Sequence, residues 1–209
     1  LDMQTDEVEA LVVIHHATIS QVHHIFIDQN PYSALFPDYF RHSHLLTEEE
    51  LRQREISIHP GESVFYAHYL MDDTIIKYTV LNQWTLEHRP IRLHTPQGDI
   101  ETSIPKITTA WEIQEKFFPN YNDKEEFANE GTYVVDGYLI LEPYIEVDAN
   151  GFQSISDSKV LVLYHTYTRL DELHKDLTPI PIMFRLSVGR RFVQVIMTKI
   201  QTILNQSDD

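Results

Sequence analysis

Between residues 63 and 168 the chain runs through strand-like segments joined by connections only a few residues long: Asp72-Asp73, Pro96-Gln97-Gly98-Asp99 and Ala149-Asn150-Gly151. A parallel pair needs a crossover of a dozen or more residues, so strands joined this closely must pair antiparallel. Strands are predicted near 63–71, 74–82, 84–94 and 100–104. A second set follows near 132–141, 143–148, 152–156 and 159–168. A last strand is predicted at 180–188, with Pro179 and Pro181 placing its start at a sheet edge.

Helices are expected on either side of these blocks. Val8, Leu11, Val12, His15, Ile19, Val22 and Phe26 recur at helical spacing, and Asp6 with Glu9 offers a capping box, which predicts a helix over 6–27. The β-branched density at Val12, Val13 and Ile14 leaves a strand open for part of it. Residues 31–46 are aromatic and broken by Pro31 and Pro37, as in a packed loop with one helical turn. Thr47 caps a short helix whose first turn is Glu48-Glu49-Glu50. Further helices are predicted at 107–118 and 190–205, with a helical turn at 171–176. The fold class is therefore α+β: an antiparallel sheet built from two meander-like blocks, with flanking helices and a C-terminal helix. At 209 residues a single domain is expected over 1–209, with a possible sub-boundary in the acidic stretch 119–131.

Composition removes several function classes. The chain has no cysteine, which excludes disulfides, thiolate zinc sites and a cysteine nucleophile. Neither GxGxxG nor GxxxxGK[ST] occurs, and no GxSxG or HExxH is present. SxxK occurs as Ser156–Lys159 without its companion strings. The charge is polarised: residues 177–206 contain Arg185, Arg190, Arg191 and Lys199 and no acid, while residues 1–176 hold 30 acids against 12 bases. A net charge of −16 argues against direct nucleic-acid binding, which needs clustered Lys and Arg. No apolar stretch has the length of a membrane span and no leader pattern is visible, so a cytoplasmic protein is expected.

The twelve histidines include His15-His16 and His23-His24, placed on the first helix with His15 and His23 at the core edge. The two pairs stand about 12 Å apart along that helix and cannot share a metal. His42 and His44 can face the same way if extended, and a composite site with a helix histidine is the sharpest metal hypothesis. It lacks an orienting partner in the sequence, so no metal and no cofactor are expected. Glu142, Glu146 and Asp148 suit a solvated sheet face, and Asp148-Asn150-Gly151 a hairpin turn.

Val193, Ile196, Met197, Ile200, Ile203 and Leu204 form a wide apolar stripe on the last helix, with Arg190, Arg191 and Lys199 beside it. Burial against the chain's own sheet and docking to a partner both fit that stripe. With no catalytic constellation, the expectation is a non-catalytic interaction domain, a subunit or adaptor meeting a protein partner or a second copy of itself. Arg190, Arg191, Lys199 and Ile200 are its candidate contact residues, together with Tyr32, Phe36 and Tyr39 of the aromatic loop. The alternative is a small-molecule or metal-dependent enzyme with a pocket between the sheet and loop 31–46.

Overall fold

A computed structural model describes residues 5–28, 32–38, 40–71, 74–113, 133–170 and 182–206. The elements in chain order are β1 (Thr5–His15), α1 (Ile19–Ile27), α2 (Tyr32–Leu35), β2 (Phe40–Leu45), α3 (Glu48–Gln53), β3 (Glu62–Met71), β4 (Thr74–Thr95), β5 (Gly98–Ile113), β6 (Tyr133–Val147), β7 (Gln153–Leu170) and α4 (Ile182–Gln206). The strands form one curled antiparallel sheet in the order β1-β7-β6-β5-β4-β3-β2. From β2 to β7 each strand pairs with its successor in sequence, and β1 closes the far edge on β7. The expected α+β class and antiparallel pairing hold. The two expected blocks are one sheet, joined where Ile107–Trp111 of β5 pair with Gly137–Leu141 of β6.

The first predicted helix is half strand. Val8, Ala10, Val12 and Ile14 alternate onto the core side of β1, while Leu11 points out and is 68% exposed. Period two, favoured by β-branching, outweighs the helical spacing that Leu11 and His15 suggested. His16 then turns the chain with φ 56. The capping box belongs to Thr18 and Gln21 of α1, not to Asp6 and Glu9. Ile107–Ile113, expected to be helical, completes β5, where Ile107, Thr108 and Thr109 suit a pleated strand. Residues 182–188, expected as a strand, open α4 instead. Gly189 is carried inside the helix at a cost of about 1 kcal/mol, while Pro179 and Pro181 lie outside the described residues. The acidic stretch 119–131 and the turn at 171–176 lie outside the described residues.

Strand length is reconciled with proline by uneven pairing. β3 pairs with β4 only as far as Gln83, and β5 meets β6 only over Ile107–Trp111. Beyond those limits β4 and β5 form a two-stranded arm in which Pro90 faces Ser103 and Pro105 faces His88. Each proline therefore sits where its strand is paired on one side only, the setting in which a missing N–H is tolerated. Pro143 marks the register shift in β6. The β4–β5 arm leans on the β6–β7 hairpin through a two-bond Arg89–Glu142 contact (2.8 and 2.6 Å) and a bond of 3.0 Å from the His94 N–H to Gln153. Leu93 and Ile104 are buried on this arm.

One face of the curl carries the main core. Val22 and Phe26 of α1, and Val193, Ile196, Met197, Ile200 and Leu204 of α4, pack with Leu139, Leu141, Val160 and Val162. The opposite face carries a smaller cluster of Leu46, Leu51 and Val64 under α3. Thr47 caps α3 as the sequence indicated, and Glu50 completes a capping box with it.

Candidate functional site

Along β5, Ile107, Thr109 and Trp111 alternate onto the concave face. Register sets Trp84 and Asn82 of β4 beside Thr109 and Trp111, and Leu139 and Gly137 of β6 on their other side. Tyr164 of β7 lies one strand further, opposite Leu139. A row of polar and aromatic side chains thus crosses the middle of the concave face.

Helix α1 brings His23 down onto this row. Its Nε2 shares a 3.1 Å hydrogen bond with the Thr109 hydroxyl, and its ring meets Trp84 edge-on at 5.8 Å. His23 is 8% exposed. Burial, followed by the neighbouring His24, lowers its pKa, so the ring is neutral near pH 7. Asn82 is buried alongside, with its amide 3.4 Å from the Ser63 hydroxyl. Trp111 stacks obliquely on Tyr164 at 5.2 Å, and burial raises the Tyr164 phenol, keeping it protonated. Gly137 leaves the space that the Trp111 indole occupies: a Cβ there would collide with the indole and with the His165 carbonyl oxygen. Trp84 and Trp111, the two tryptophans of the chain, are both only half-buried.

Between the sheet and loop 31–46, where the alternative reading puts a pocket, the described aromatic side chains pack on one another. Tyr32 meets Phe36, Phe40 and Phe65 at 5.3, 5.4 and 5.9 Å, and the phenylalanines are 2–3% exposed. Among the residues proposed for partner contact, Ile200, Tyr32 and Phe36 are buried in the chain's own core and Lys199 is exposed. Arg190 and Arg191 lie on α4 with side chains outside the described residues, as does the whole of Tyr39.

The expected histidine grouping is rearranged by the fold. His15 ends β1, His23 enters the concave face, and His42 and His44 stand on the opposite face of the sheet. Their neighbour there is His68 of β3, which pairs with His42 in register, rather than a helix histidine. Among the described residues, no group of three or more His, Asp or Glu side chains is placed to hold a metal ion. The β6 carboxylates have partners: Glu142 binds Arg89, Glu146 lies 3.1 Å from Lys159, and Asp148 accepts from the N–H groups of Asn150 and Phe152 in the hairpin turn.

No helix among the described residues is long and apolar enough to cross a membrane. No family model and no curated protein matches the sequence. Among solved structures, the chain is similar to the Zhui aromatase/cyclase from Streptomyces sp. R1128. The TM-score is 0.60 at 11% identity, over 99% of this chain and 97% of that one. A norcoclaurine synthase from Thalictrum flavum matches at TM-score 0.45 and 7% identity, covering 100% and 99%. Ara h 8.0201 matches at 0.43 and 11%, covering 97% and 99%. The first likeness shows the fold, a curled antiparallel sheet gripping a long C-terminal helix. A non-catalytic interaction domain is the expectation this overturns. The apolar stripe that suggested docking is spent in the chain's own core, and the whole chain has the fold of a protein named as an aromatase/cyclase.

Proposed function

We propose that the chain binds a small, largely apolar and planar molecule on the concave face, against Trp84 and Trp111. The observation that carries this is the placement of both half-buried tryptophans on the surface that α1 and α4 cover, beside the His23–Thr109 pair and Asn82. Ligand sites are mostly apolar, with a few converging polar groups that set orientation. Indole faces supply stacking area for a flat ring system. His23 and Asn82 supply hydrogen bonds at one end, and the neutral His23 ring imposes no charge on the ligand. The likeness in fold to an aromatase/cyclase supports a small-molecule role, and catalysis on such a ligand is the second reading. It is favoured by His23, a buried neutral imidazole able to take or give a proton.

Since Trp84 and Trp111 are the chain's whole tryptophan complement, tryptophan emission, excited at the red edge where the eleven tyrosines do not absorb, reports on this site. Titration with a panel of fused-ring aromatics is expected to give saturable quenching. Trp111→Phe should weaken it by roughly tenfold, the loss of about 1.4 kcal/mol. A folded protein whose emission is unchanged across the panel would overturn the proposal.

A further inference from the structure

On the other face of the sheet, His42 and His44 of β2 sit two residues apart and their rings meet at 5.0 Å. The Nε2 of His42 lies 2.9 Å from the Nδ1 of His44. The other nitrogen of His44, Nε2, lies 3.0 Å from a Glu50 carboxylate oxygen on α3. A carboxylate only accepts hydrogen bonds, so His44 carries its proton on Nε2 and presents an unprotonated Nδ1 to His42. Glu50 is itself anchored, because its other oxygen accepts 2.8 Å from the Thr47 backbone N–H in the α3 capping box. His42 is exposed and His44 half-buried, so the pair is open to solution and backed by protein.

The geometry points to a two-nitrogen clasp for a divalent transition-metal ion of the copper or nickel type, formed by His42 Nε2 and His44 Nδ1 and oriented by Glu50. It is independent of the concave site, which lies across the sheet. A histidine that ligates a metal ordinarily donates its second N–H to a carboxylate, and the Glu50–His44 contact has this form before any metal arrives. Two nitrogens at about 2.0 Å from one ion and at right angles to each other stand about 2.8 Å apart, close to the 2.9 Å found here. Tetrahedral zinc would ask for about 3.3 Å, so tetragonal ions suit the pair better. His42 now donates its Nε2–H to His44. On binding, that proton moves to Nδ1 of His42, the ring stays neutral, and the Nε2 lone pair is freed. Water fills the remaining coordination positions, in keeping with the absence of a third converging side chain among the described residues.

With twelve histidines in the chain, the site is read by difference. Cu(II) titrations followed by calorimetry compare wild type with His42→Ala/His44→Ala, both checked as folded by circular dichroism. Wild type is expected to bind one more equivalent, at least tenfold tighter than anything left in the double variant. Glu50→Gln keeps the capping box and should weaken that equivalent about tenfold, since orienting partners are worth 10–100-fold in affinity. On wild type alone, substoichiometric Cu(II) should broaden the ring resonances of His42 and His44 before those of other histidines. Equal stoichiometry and affinity in the folded double variant, or first broadening at other histidines, would overturn the clasp.

Discussion

The side-chain amide of Gln201 closes a two-bond ring with the backbone of His15: the His15 N–H donates to Oε1 at 2.8 Å, and Nε2 donates to the His15 carbonyl at 2.8 Å. His15 is the last residue of the edge strand β1, and Gln201 belongs to the last turns of α4. An edge strand has one row of backbone groups with no ladder partner. Here a glutamine supplies both partners at the point where the strand ends and His16 turns the chain toward α1. The helix is thus fastened to the sheet at its polar margin as well as by its buried stripe.

Gln201→Leu is expected to cost about 1–2 kcal/mol, two hydrogen bonds at about 0.5–1.5 kcal/mol each with some relief from solvent. Urea midpoints measure it against Thr198→Ala on the exposed side of the same helix. Equal midpoints for the two variants would show that the ring contributes nothing to stability.

Gly137→Ala tests how the floor of the concave site is shaped. The added methyl meets the Trp111 indole on one side and the His165 carbonyl on the other. The carbonyl belongs to the paired strand β7 and cannot retreat, so Trp111 must move off Tyr164. A loss of about 1–3 kcal/mol is expected from overpacking, with a shift in Trp111 emission in a Trp84→Phe background. Unchanged stability and emission together would mean that the indole does not rest on Gly137.

Legibility from the sequence followed the range of the interaction involved. The Thr47 cap, the turn at 96–99 and the Asp148 hairpin rest on residues within four positions of one another, and each was read from the chain alone. β1 and the second half of β5, from Ile107 on, suit a helix in the sequence because a short apolar run fits both periods. The tie is broken by sheet neighbours, Val12 by Val162 and Trp111 by Gly137, which are far away in sequence. The same holds for the sites. Trp84, Thr109 and His23 come together only once register and the position of α1 are known. His42 and His44 were visible as a pair, whereas Glu50, which gives the pair its direction, arrives through the turn into α3. The apolar stripe of α4 is legible in the sequence, and its burial against the chain's own sheet is one of the two fates the sequence allows; the strands it meets come from distant parts of the chain.

The pH dependence of stability should carry the signature of His23. Burial first, and the neighbouring His24 second, lower its folded pKa below the 6.5 of an unfolded chain. Between those two values the unfolded state holds more protons than the folded one, so stability rises with pH. The contribution of a neutral, buried His23 is therefore complete above pH 6.5 and is lost as pH falls below it. His23→Gln leaves Thr109 a polar partner but removes the titration. Denaturation free energies from pH 7.5 down to pH 5 should fall more steeply in wild type than in this variant, while the remaining histidines contribute equally to both. Parallel curves would place His23 in contact with water in the folded state, and would weaken its role as the neutral polar end of the concave site.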